Sequence, residues 1–290
     1  MRLKIVFYLS LVVLVAAFAT AQVSKVPSGL PCGPPPNPSP APLVSWPQFQ
    51  FDAAHTGCNP YEYLLGRSTV ANLTLKWTQF VTYAANSLPV VVGGVAYLSF
   101  SRPAHYDTAG VVAVRTSDGS VLWTYTIGPP ANYPYSSPVV ANGVVYIASD
   151  ELYALDASTG ALIWKYPVSS TLPPAVGNGT IYVPYALSDS GAIDALNAST
   201  GAFIWNYTFA APYYPTEPAV ANGVIYTSSN FIGAYVNALD ATTGVLLWKY
   251  DGGEHTLSSP VVANGVVYVS SSYEGTDEFE GLSAFSLPGH

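Results

Sequence analysis

The chain has 290 residues, of which 50% are hydrophobic and only 9% are charged. A chain this apolar can bury a large core, which excludes a largely disordered protein. Acidic residues outnumber basic residues by 17 to 9, for a formal net charge of −8, and this balance excludes nucleic acid as an expected partner because such binding depends on clustered lysine and arginine.

Residues 1–21 have the pattern of a signal peptide. Arg2 and Lys4 precede the apolar run of residues 5–18, and Ala19-Thr20-Ala21 follows it, which is the small-x-small pattern that a signal peptidase cuts. An uncleaved membrane anchor is the alternative, but a spanning helix needs roughly 20 apolar residues. We therefore expect cleavage, export to the periplasm or the extracellular space, and no membrane span in the mature chain.

The next segment, residues 22–45, has the composition of a proline-rich linker, with PCGPPPNPSPAP at its centre. Such a segment is typically extended and has no packed core of its own. The chain's two cysteines are Cys32 and Cys58. In an oxidising compartment they can form a disulfide that ties this arm to the folded domain, and two free thiols are the alternative. Residues 46–290 are the predicted folded domain.

A nine-residue unit recurs through that domain. PVVANGVVY occurs twice, letter for letter, and three near-copies accompany it; the five copies occupy 89–97, 138–146, 174–182, 218–226 and 260–268. A second marker, a glycine followed by three residues and a tryptophan, recurs at intervals of 41, 41 and 43 residues and ends at Trp123, Trp164, Trp205 and Trp248. The domain is therefore a repeat array.

Each copy is predicted to contain four strands. In the second copy, Asn142-Gly143 separates strand A (136–142) from strand B (144–149), and Asn-Gly between apolar runs is a strong hairpin signal because both residues tolerate positive φ. Strands C (151–157) and D (161–166) meet across a Ser-Thr-Gly turn. Four short strands with a period of about 40 to 45 residues predict an all-β fold, a β-propeller of four-stranded antiparallel blades.

The number of strands suggests how the ring closes. The last copy supplies strands A (258–264), B (266–272) and C (282–287), but no tryptophan-bearing strand D. Residues 72–80, NLTLKWTQF, match the D pattern, with Trp77 at the tryptophan position. We therefore predict five blades, with this N-terminal strand pairing into the last blade and removing open sheet edges. The alternative is that the chain is part of a longer array.

The phrase ALDASTGALIW (154–164), echoed at 195–205 and 238–248, resembles the PQQ-like (pyrroloquinoline quinone) propeller repeat, and WPQFQFDAAHTGCNP (46–60) resembles the leader that often precedes such propellers. The resemblance covers residues 46–287. It implies that the tryptophan packs between neighbouring blades.

The resemblance alone does not imply the quinone. Similar propellers include quinoprotein dehydrogenases, which hold pyrroloquinoline quinone and Ca²⁺ on the axis, and the BamB-type outer-membrane assembly factor, a scaffold that holds neither. This chain has neither an adjacent cysteine pair nor a CxxCH haem attachment motif. We therefore expect no cofactor, with pyrroloquinoline quinone and calcium as the alternative.

Repetition separates structural polar residues from candidate functional ones. Asp156, Asn197 and Asp240 recur at one blade position, where a short polar side chain can cap the C–D turn. The A–B turns share an asparagine that supplies the backbone conformation, at Asn142, Asn178, Asn222 and Asn264. We interpret both sets as structural.

The A–B and C–D turns lie at one end of a propeller, here named the turn face, and they are uniformly tight. The B–C loops and D–A crossings lie at the other end, the loop face, and they vary in this sequence, which is typical of binding surfaces on a rigid scaffold. Tyrosines are frequent there and make good contact surfaces. The residues predicted to bind a ligand or partner are Tyr106, Tyr133, Tyr135, Tyr185, Tyr213, Tyr214, Glu217, His255 and Tyr273.

Glu217 takes the place that Ser137 and Ser259 fill in other blades, directly before the A-strand proline and near the axis. A carboxylate there can bind a cation or a sugar hydroxyl, and a hydrogen-bonded rim residue is the alternative that we favour. His55 belongs to the leader motif. The histidines have no metal-ligand spacing.

A loop near the C-terminal end holds four acidic residues that supply oxygen ligands of the kind Ca²⁺ prefers. They lack EF-hand spacing, so a solvated acidic loop is favoured over a metal site; the residues are Glu274, Asp277, Glu278 and Glu280.

No GxSxG or Ser-His-Asp signature is present, so no catalytic residue is predicted. We expect an exported, non-catalytic scaffold that holds a protein, peptide or glycan on the loop face. One alternative is a pyrroloquinoline-quinone-dependent oxidoreductase. The other is a glycan-active propeller, which needs two carboxylates about 5 to 10 Å apart.

Overall fold

A computed structural model describes residues 52–53, 55, 70–80, 84–85, 87–101, 109–127, 136–210, 213–231, 234–253, 256–272 and 281–286. The predicted signal peptide, the proline-rich linker, Cys32 and Cys58 lie outside these residues. The described residues form a 3-10 turn at Val70–Asn72 and five antiparallel sheets. None of their helical structure is long and apolar enough to cross a membrane.

The five sheets follow one another along the chain and are named blades 1 to 5. Blade 1 contains β1 (Ala84–Ala85), β2 (Val90–Val92), β3 (Val95–Ser101), β4 (Ala109–Arg115) and β5 (Val121–Ile127). Blade 2 contains β6 (Val139–Ala141), β7 (Val144–Ala148), β8 (Leu152–Asp156) and β9 (Leu162–Tyr166). Blade 3 contains β10 (Ala175–Gly177), β11 (Thr180–Ala186), β12 (Gly191–Asn197) and β13 (Phe203–Thr208).

The last two blades repeat the order. Blade 4 contains β14 (Tyr213–Pro215), β15 (Ala219–Ala221), β16 (Val224–Phe231), β17 (Tyr235–Asp240) and β18 (Leu246–Asp251). Blade 5 contains β19 (Thr256–Leu257), β20 (Val261–Ala263), β21 (Val266–Ser272) and β22 (Gly281–Ser286). In every blade, strand B pairs with strands A and C, and strand D is the outer strand where one is described. The predicted four-strand β-propeller blade is confirmed.

The two kinds of tight turn meet at one end of each blade, as predicted. Asn142 has φ of 51° and is followed by Gly143 at 78°, the left-handed pair that an Asn-Gly hairpin requires. The Ala157 N–H in the C–D turn donates to the Gly143 carbonyl at 2.9 Å. The same bond joins Ala198 to Gly179 and Ala241 to Gly223. The turn face is therefore a repeated, hydrogen-bonded surface.

The recurring Asp or Asn of the C–D turn is structural, as predicted. The Asp156 Oδ1 accepts the backbone N–H groups of Ser158 at 3.0 Å and Thr159 at 2.8 Å. Asn197 and Asp240 make the corresponding bonds in blades 3 and 4. Hydrogen bonds to the charged form hold the pKa of Asp156 down to about 2.

A β-bulge accompanies the tryptophan in each of blades 1 to 4. In blade 2 the C–D register shifts between Ala154 and Leu155, and Ala154 pairs directly with Trp164. The register of the other three blades shifts at the matching alanine. A bulge increases local twist, and the small alanine leaves room for the indole beside it. The sequence pattern did not predict this feature.

The tryptophans pack between neighbouring blades. The Trp164 ring lies against Gly201 in the C–D turn of blade 3, where an added Cβ would lie 2.7 Å from the ring. Trp123 lies against Gly160, and Trp205 against Gly244, in the same way. Three hydrophobic clusters of the core correspondingly combine residues of two consecutive blades. The predicted inter-blade role of the tryptophan is confirmed.

At each of these junctions, one backbone carbonyl of the next blade accepts hydrogen bonds from two side chains. Tyr146 Oη donates to the Ala198 carbonyl at 2.8 Å, and Trp164 Nε1 donates to the same oxygen at 3.2 Å. Ala157 accepts Tyr97 and Trp123, and Ala241 accepts Tyr182 and Trp205. A carbonyl has two lone pairs, so both donors are satisfied. We name this arrangement the shared-carbonyl latch.

The N-terminal segment predicted to close the ring has the tryptophan contact but no strand pairing. Trp77 lies against Gly119 of blade 1 and donates to the Thr116 carbonyl at 2.9 Å, as Trp123 does to blade 2. Residues 73–80, however, are in no strand. Trp77 therefore occupies the place of a preceding blade's tryptophan, while the pairing with blade 5 stays a prediction.

Candidate functional site

Strand A of several blades is interrupted where it approaches the loop face. In blade 4 the break is Thr216-Glu217-Pro218, between β14 and β15, and in blade 5 it is Ser258-Ser259-Pro260, between β19 and β20. Proline has no N–H to give to a sheet ladder. The hydroxyl residue two positions before the proline satisfies a strand-B donor at the break, because the Ser228 N–H donates to Thr216 Oγ1 at 3.2 Å and the Ser270 N–H donates to Ser258 Oγ at 3.0 Å.

The residue between this hydroxyl and the proline lies at the inner end of the blade, where strands A of consecutive blades are neighbours. We name this set the axial mouth; its members are Leu88, Ser137, Glu217 and Ser259. These residues bridge adjacent blades. The Leu88 N–H donates to Ser137 Oγ at 3.2 Å, between blades 1 and 2, and Ser259 Oγ donates to Glu217 Oε2, between blades 5 and 4.

Glu217, the predicted axial carboxylate, is thus a half-buried rim residue with a hydroxyl donor. The assignment of Glu217 to a ligand-binding face stays a prediction. Within the described residues, no group of three or more His, Cys, Asp or Glu side chains is arranged to hold a metal ion.

Part of the leader lies against the same region. The Ala53 carbonyl accepts the backbone N–H of Val220, the middle residue of β15, and Ala53 packs against the cluster shared by blades 3 and 4. Two residues later, His55 is only 4% exposed and has φ of 59°. Its Nδ1 lies 3.2 Å from the Pro260 carbonyl of blade 5. The leader therefore contacts blades 4 and 5 beside Glu217 and Ser259.

The electrostatics of His55 follow from this placement. A carbonyl can only accept, so Nδ1 carries the proton in the bond to Pro260. Burial lowers the pKa of His55 below its ordinary value of 6.5, because desolvation disfavours the imidazolium. The bond to Pro260 and the carboxylates of Glu217 and Asp52 oppose that shift without cancelling it. His55 is therefore neutral at neutral pH. Sequence reasoning assigned it to the leader motif and missed its place at the axial mouth.

Tyr185, a predicted loop-face residue, belongs to a second polar cluster in blade 3. Asp194 is 5% exposed and accepts Tyr185 Oη at 3.2 Å, Tyr166 Oη of blade 2 at 2.9 Å and Asn206 Nδ2 at 2.7 Å. Burial, together with this carboxylate, raises the pKa of Tyr185 to about 12. The hydroxyl of Tyr185 is thus engaged within the blade, and its half-buried ring is the part that reaches the surface.

Tyr214 is half-buried, and its hydroxyl lies 3.5 Å from the Ser188 carbonyl in the B–C loop of blade 3. The crossing into blade 4 therefore lies beside that loop. Tyr213 is in β14. The remaining predicted residues of the loop face and the acidic loop lie outside the described residues, namely Tyr106, Tyr133, Tyr135, His255, Tyr273, Glu274, Asp277, Glu278 and Glu280.

An apolar groove of about 560 Å³ lies between blades 4 and 5, away from the axial mouth. Trp248 and Phe285 line it, with ring centroids 5.2 Å apart. At the three preceding junctions, the equivalent tryptophans pack against a C–D turn of the next blade. We therefore interpret the groove as part of the blade packing.

The residues at the axial mouth are a poor fit for pyrroloquinoline quinone and Ca²⁺. Calcium takes six to eight oxygen ligands, whereas Glu217 is the described carboxylate of this mouth and is bonded to Ser259. Ala53 and His55 of the leader already lie beside it. No chemical step through a quinone can be derived from these groups.

Comparison with known proteins identifies the family of this chain. The family model described as outer membrane protein assembly factor BamB matches residues 68–150 and 189–286. No curated protein matches by sequence. Among solved structures, BamB from Moraxella catarrhalis is similar with a TM-score of 0.52 and 15% identity, covering 73% of this chain and 67% of that one.

Two dehydrogenases are also similar in fold. A quinohemoprotein alcohol dehydrogenase from Pseudomonas putida has a TM-score of 0.60 and 16% identity, covering 88% of this chain and 50% of its own. One from Comamonas testosteroni has a TM-score of 0.60 and 19% identity, covering 85% of this chain and 50% of its own. The chain spans half the length of these dehydrogenases, and at such identities the likeness concerns the fold.

Proposed function

Because the chain belongs to the propeller family of the outer membrane protein assembly factor BamB, we propose that it is an exported, non-catalytic scaffold that binds a protein, peptide or glycan on its loop face. The family contains both scaffold-like propellers and quinone-dependent dehydrogenases. The choice between these two functions therefore depends on the residues at the candidate site. The observation that carries it is the axial mouth, where the chain's own Ala53 and His55 contact blades 4 and 5. Protein groups of the leader thus lie beside Glu217, the carboxylate of the axial mouth.

The loop face has the properties of a binding surface. Its strands are held by a rigid framework of latches and capped turns, while its loops differ from blade to blade, and rigid support with variable loops favours recognition. Tyr185 and Tyr214 are half-buried there and offer aromatic surface at low entropic cost. The acidic composition favours partners without strong negative charge. We further propose that residues 1–21 are removed on export and that residues 22–45 act as a linker.

Site-specific photo-cross-linking tests the binding face. A photoreactive residue replaces Tyr214 on the loop face, and a matched one replaces Thr159 on the turn face. In cells of the host, we expect a discrete adduct from position 214 that position 159 does not give. The same adducts from both positions, or an adduct from position 159 alone, would contradict the proposal.

Calorimetric titration with pyrroloquinoline quinone, with and without Ca²⁺, tests the oxidoreductase alternative. We expect no saturable binding, because the axial mouth offers one engaged carboxylate and holds part of the leader. One-to-one binding that is lost in Glu217→Gln would instead establish a quinone site at this mouth.

A further inference from the structure

The leader contacts the axial mouth as a peptide ligand would. Val220 pairs with Ile225 of strand B in register, yet its own N–H is donated to the Ala53 carbonyl. The N–H of the middle residue in this short inner strand therefore points away from the sheet. The leader is turned where it meets this edge, because the His55 N–H donates to the Asp52 carbonyl at 3.0 Å and His55 has a left-handed φ of 59°. The Ala53 carbonyl therefore reaches Val220 from a tight turn.

Two side-chain positions of the leader are distinguished by their surroundings. Ala53 is half-buried and packs against the core cluster of blades 3 and 4. His55 is almost fully buried and donates from Nδ1 to the Pro260 carbonyl. Since the donor is a ring N–H, aliphatic or acidic side chains cannot replace it.

The charges around His55 complement an imidazole. Glu217 and Asp52 both favour its protonated form, while burial favours the neutral form. Glu217 accepts the hydroxyl of Ser259, so the bond that holds this carboxylate comes from blade 5 and not from the leader. Pro260 contributes its carbonyl from a position whose backbone is restricted by the proline ring. The mouth thus offers the leader a carbonyl acceptor, a carboxylate and a backbone N–H.

We propose that this mouth is a recognition site for peptides that form a tight turn ending in a histidine, and that Asp52, Ala53 and His55 occupy it within the same chain. This inference rests on the proposed scaffold function and names the class of ligand that the axial mouth of the scaffold binds. A tethered segment competes at an effective concentration in the millimolar range, so a free peptide binds the intact chain weakly.

Fluorescence anisotropy with the labelled peptide Asp-Ala-Ala-His-Thr-Gly tests the proposal. In the full-length His55→Ala protein the leader loses its bond to Pro260 and binds the mouth less tightly. We therefore expect saturable binding of the labelled peptide to this protein. Binding to the wild-type chain should be at least tenfold weaker. A control peptide with alanine in place of histidine should bind the His55→Ala protein at least tenfold more weakly. Equal binding of both peptides, or equal affinity of the two proteins, would overturn the proposal.

Two further variants locate the site in the His55→Ala background. Ser259→Ala removes the hydroxyl that orients Glu217 and should weaken binding severalfold. Ser158→Ala removes a hydroxyl on the turn face, which bonds Asp156 within blade 2, and should leave binding unchanged. The reverse order of effects would place the peptide elsewhere and contradict the assignment.

A second measurement uses the wild-type chain alone. Millimolar histidine peptide should displace the internal segment and increase the rate at which a protease cuts the leader, relative to the alanine peptide at equal concentration. An unchanged rate would mean that residues 52–55 are a permanent structural element. If position 214 cross-links a partner while the peptide fails to bind, the scaffold function stands and this inference falls. If the peptide binds without any loop-face adduct, the proposed loop-face function fails.

Discussion

Packing of each tryptophan against a glycine of the next blade makes a quantitative prediction in blade 3. Gly201 and Gly179 both lie in tight turns with left-handed backbone, at φ of 71° and 77°. An added Cβ at Gly201 would lie 2.7 Å from Trp164, whereas nothing lies within 4 Å of one at Gly179. Replacement of each glycine by alanine therefore separates the backbone cost from the packing cost.

Both variants carry the cost of an alanine in the left-handed region, about 1 to 2 kcal/mol. Only Gly201→Ala also forces the indole away from its position, since carbon atoms prefer separations of about 3.5 to 4.0 Å. Overpacking of this kind typically costs about 1 to 3 kcal/mol, and the bond from Trp164 Nε1 to Ala198 weakens with it. We expect Gly201→Ala to lower the free energy of unfolding by about 1 to 3 kcal/mol more than Gly179→Ala.

Equilibrium denaturation in urea measures this difference, with circular dichroism and tryptophan fluorescence followed on the same samples. Coincident transitions and equal m values for the two variants would justify a direct comparison. A difference within about 0.5 kcal/mol, the error of such comparisons, would show that the ring adapts to the methyl group. The reasoning about inter-blade packing would then be refuted.

The remaining predictions concern the latch, the leader and the turns. Tyr146→Phe and Trp164→Phe each leave one donor on the Ala198 carbonyl, so each lowers the free energy of unfolding by about 0.5 to 1.5 kcal/mol through the lost hydrogen bond. In a double-mutant cycle, the double variant should lose more than the sum of the two single variants. Strict additivity would argue against a shared acceptor. Because burial lowers the pKa of His55 below 6.5, the docked leader binds protons less readily than the free leader, and docking should weaken as the pH falls through about 6.5. Hydrogen exchange at the Val220 N–H measures the docking. A similar pH response in His55→Phe would refute the assignment. Asp156 has its pKa lowered to about 2, so its contribution to stability is present above about pH 4 and is lost as the pH falls toward 2. Asp156→Asn should keep the turn and remove this part of the pH dependence of thermal denaturation. An unchanged pH profile in this variant would contradict the assigned role of Asp156.

Local chemistry explains why much of the fold could be predicted. The Asn-Gly pairs, the Asp or Asn caps and the alternating apolar residues act within one blade, and each is repeated, so a single sequence contains several independent instances of the same signal. The structure confirms the A–B turn at Asn142 and the capped C–D turn at Asp156. The shared-carbonyl latch and the bulge beside Trp164 depend on contacts across strands and blades, which the sequence pattern does not encode.

The axial mouth was only partly predictable. Glu217 stood out because it replaces a serine at a repeated position. The hydroxyl-x-Pro spacing around Thr216 and Ser258 was also visible and would have indicated the interruption of strand A. The docking of His55 had no such signal, since its contacts with blades 4 and 5 occur once and join residues far apart in the chain. A single sequence offers no periodicity from which such a contact can be inferred.

The shared-carbonyl latch has a direction. Its donors always come from the earlier blade and its acceptor from the later one, at three consecutive junctions. Such a head-to-tail interface does not specify how many units it joins, because only the rotation per unit decides whether a ring closes or a helical stack grows. Duplication of one complete blade therefore preserves the bonds of the latch, and blades of this kind can be added or removed as modules while this part of the chemistry between them is kept.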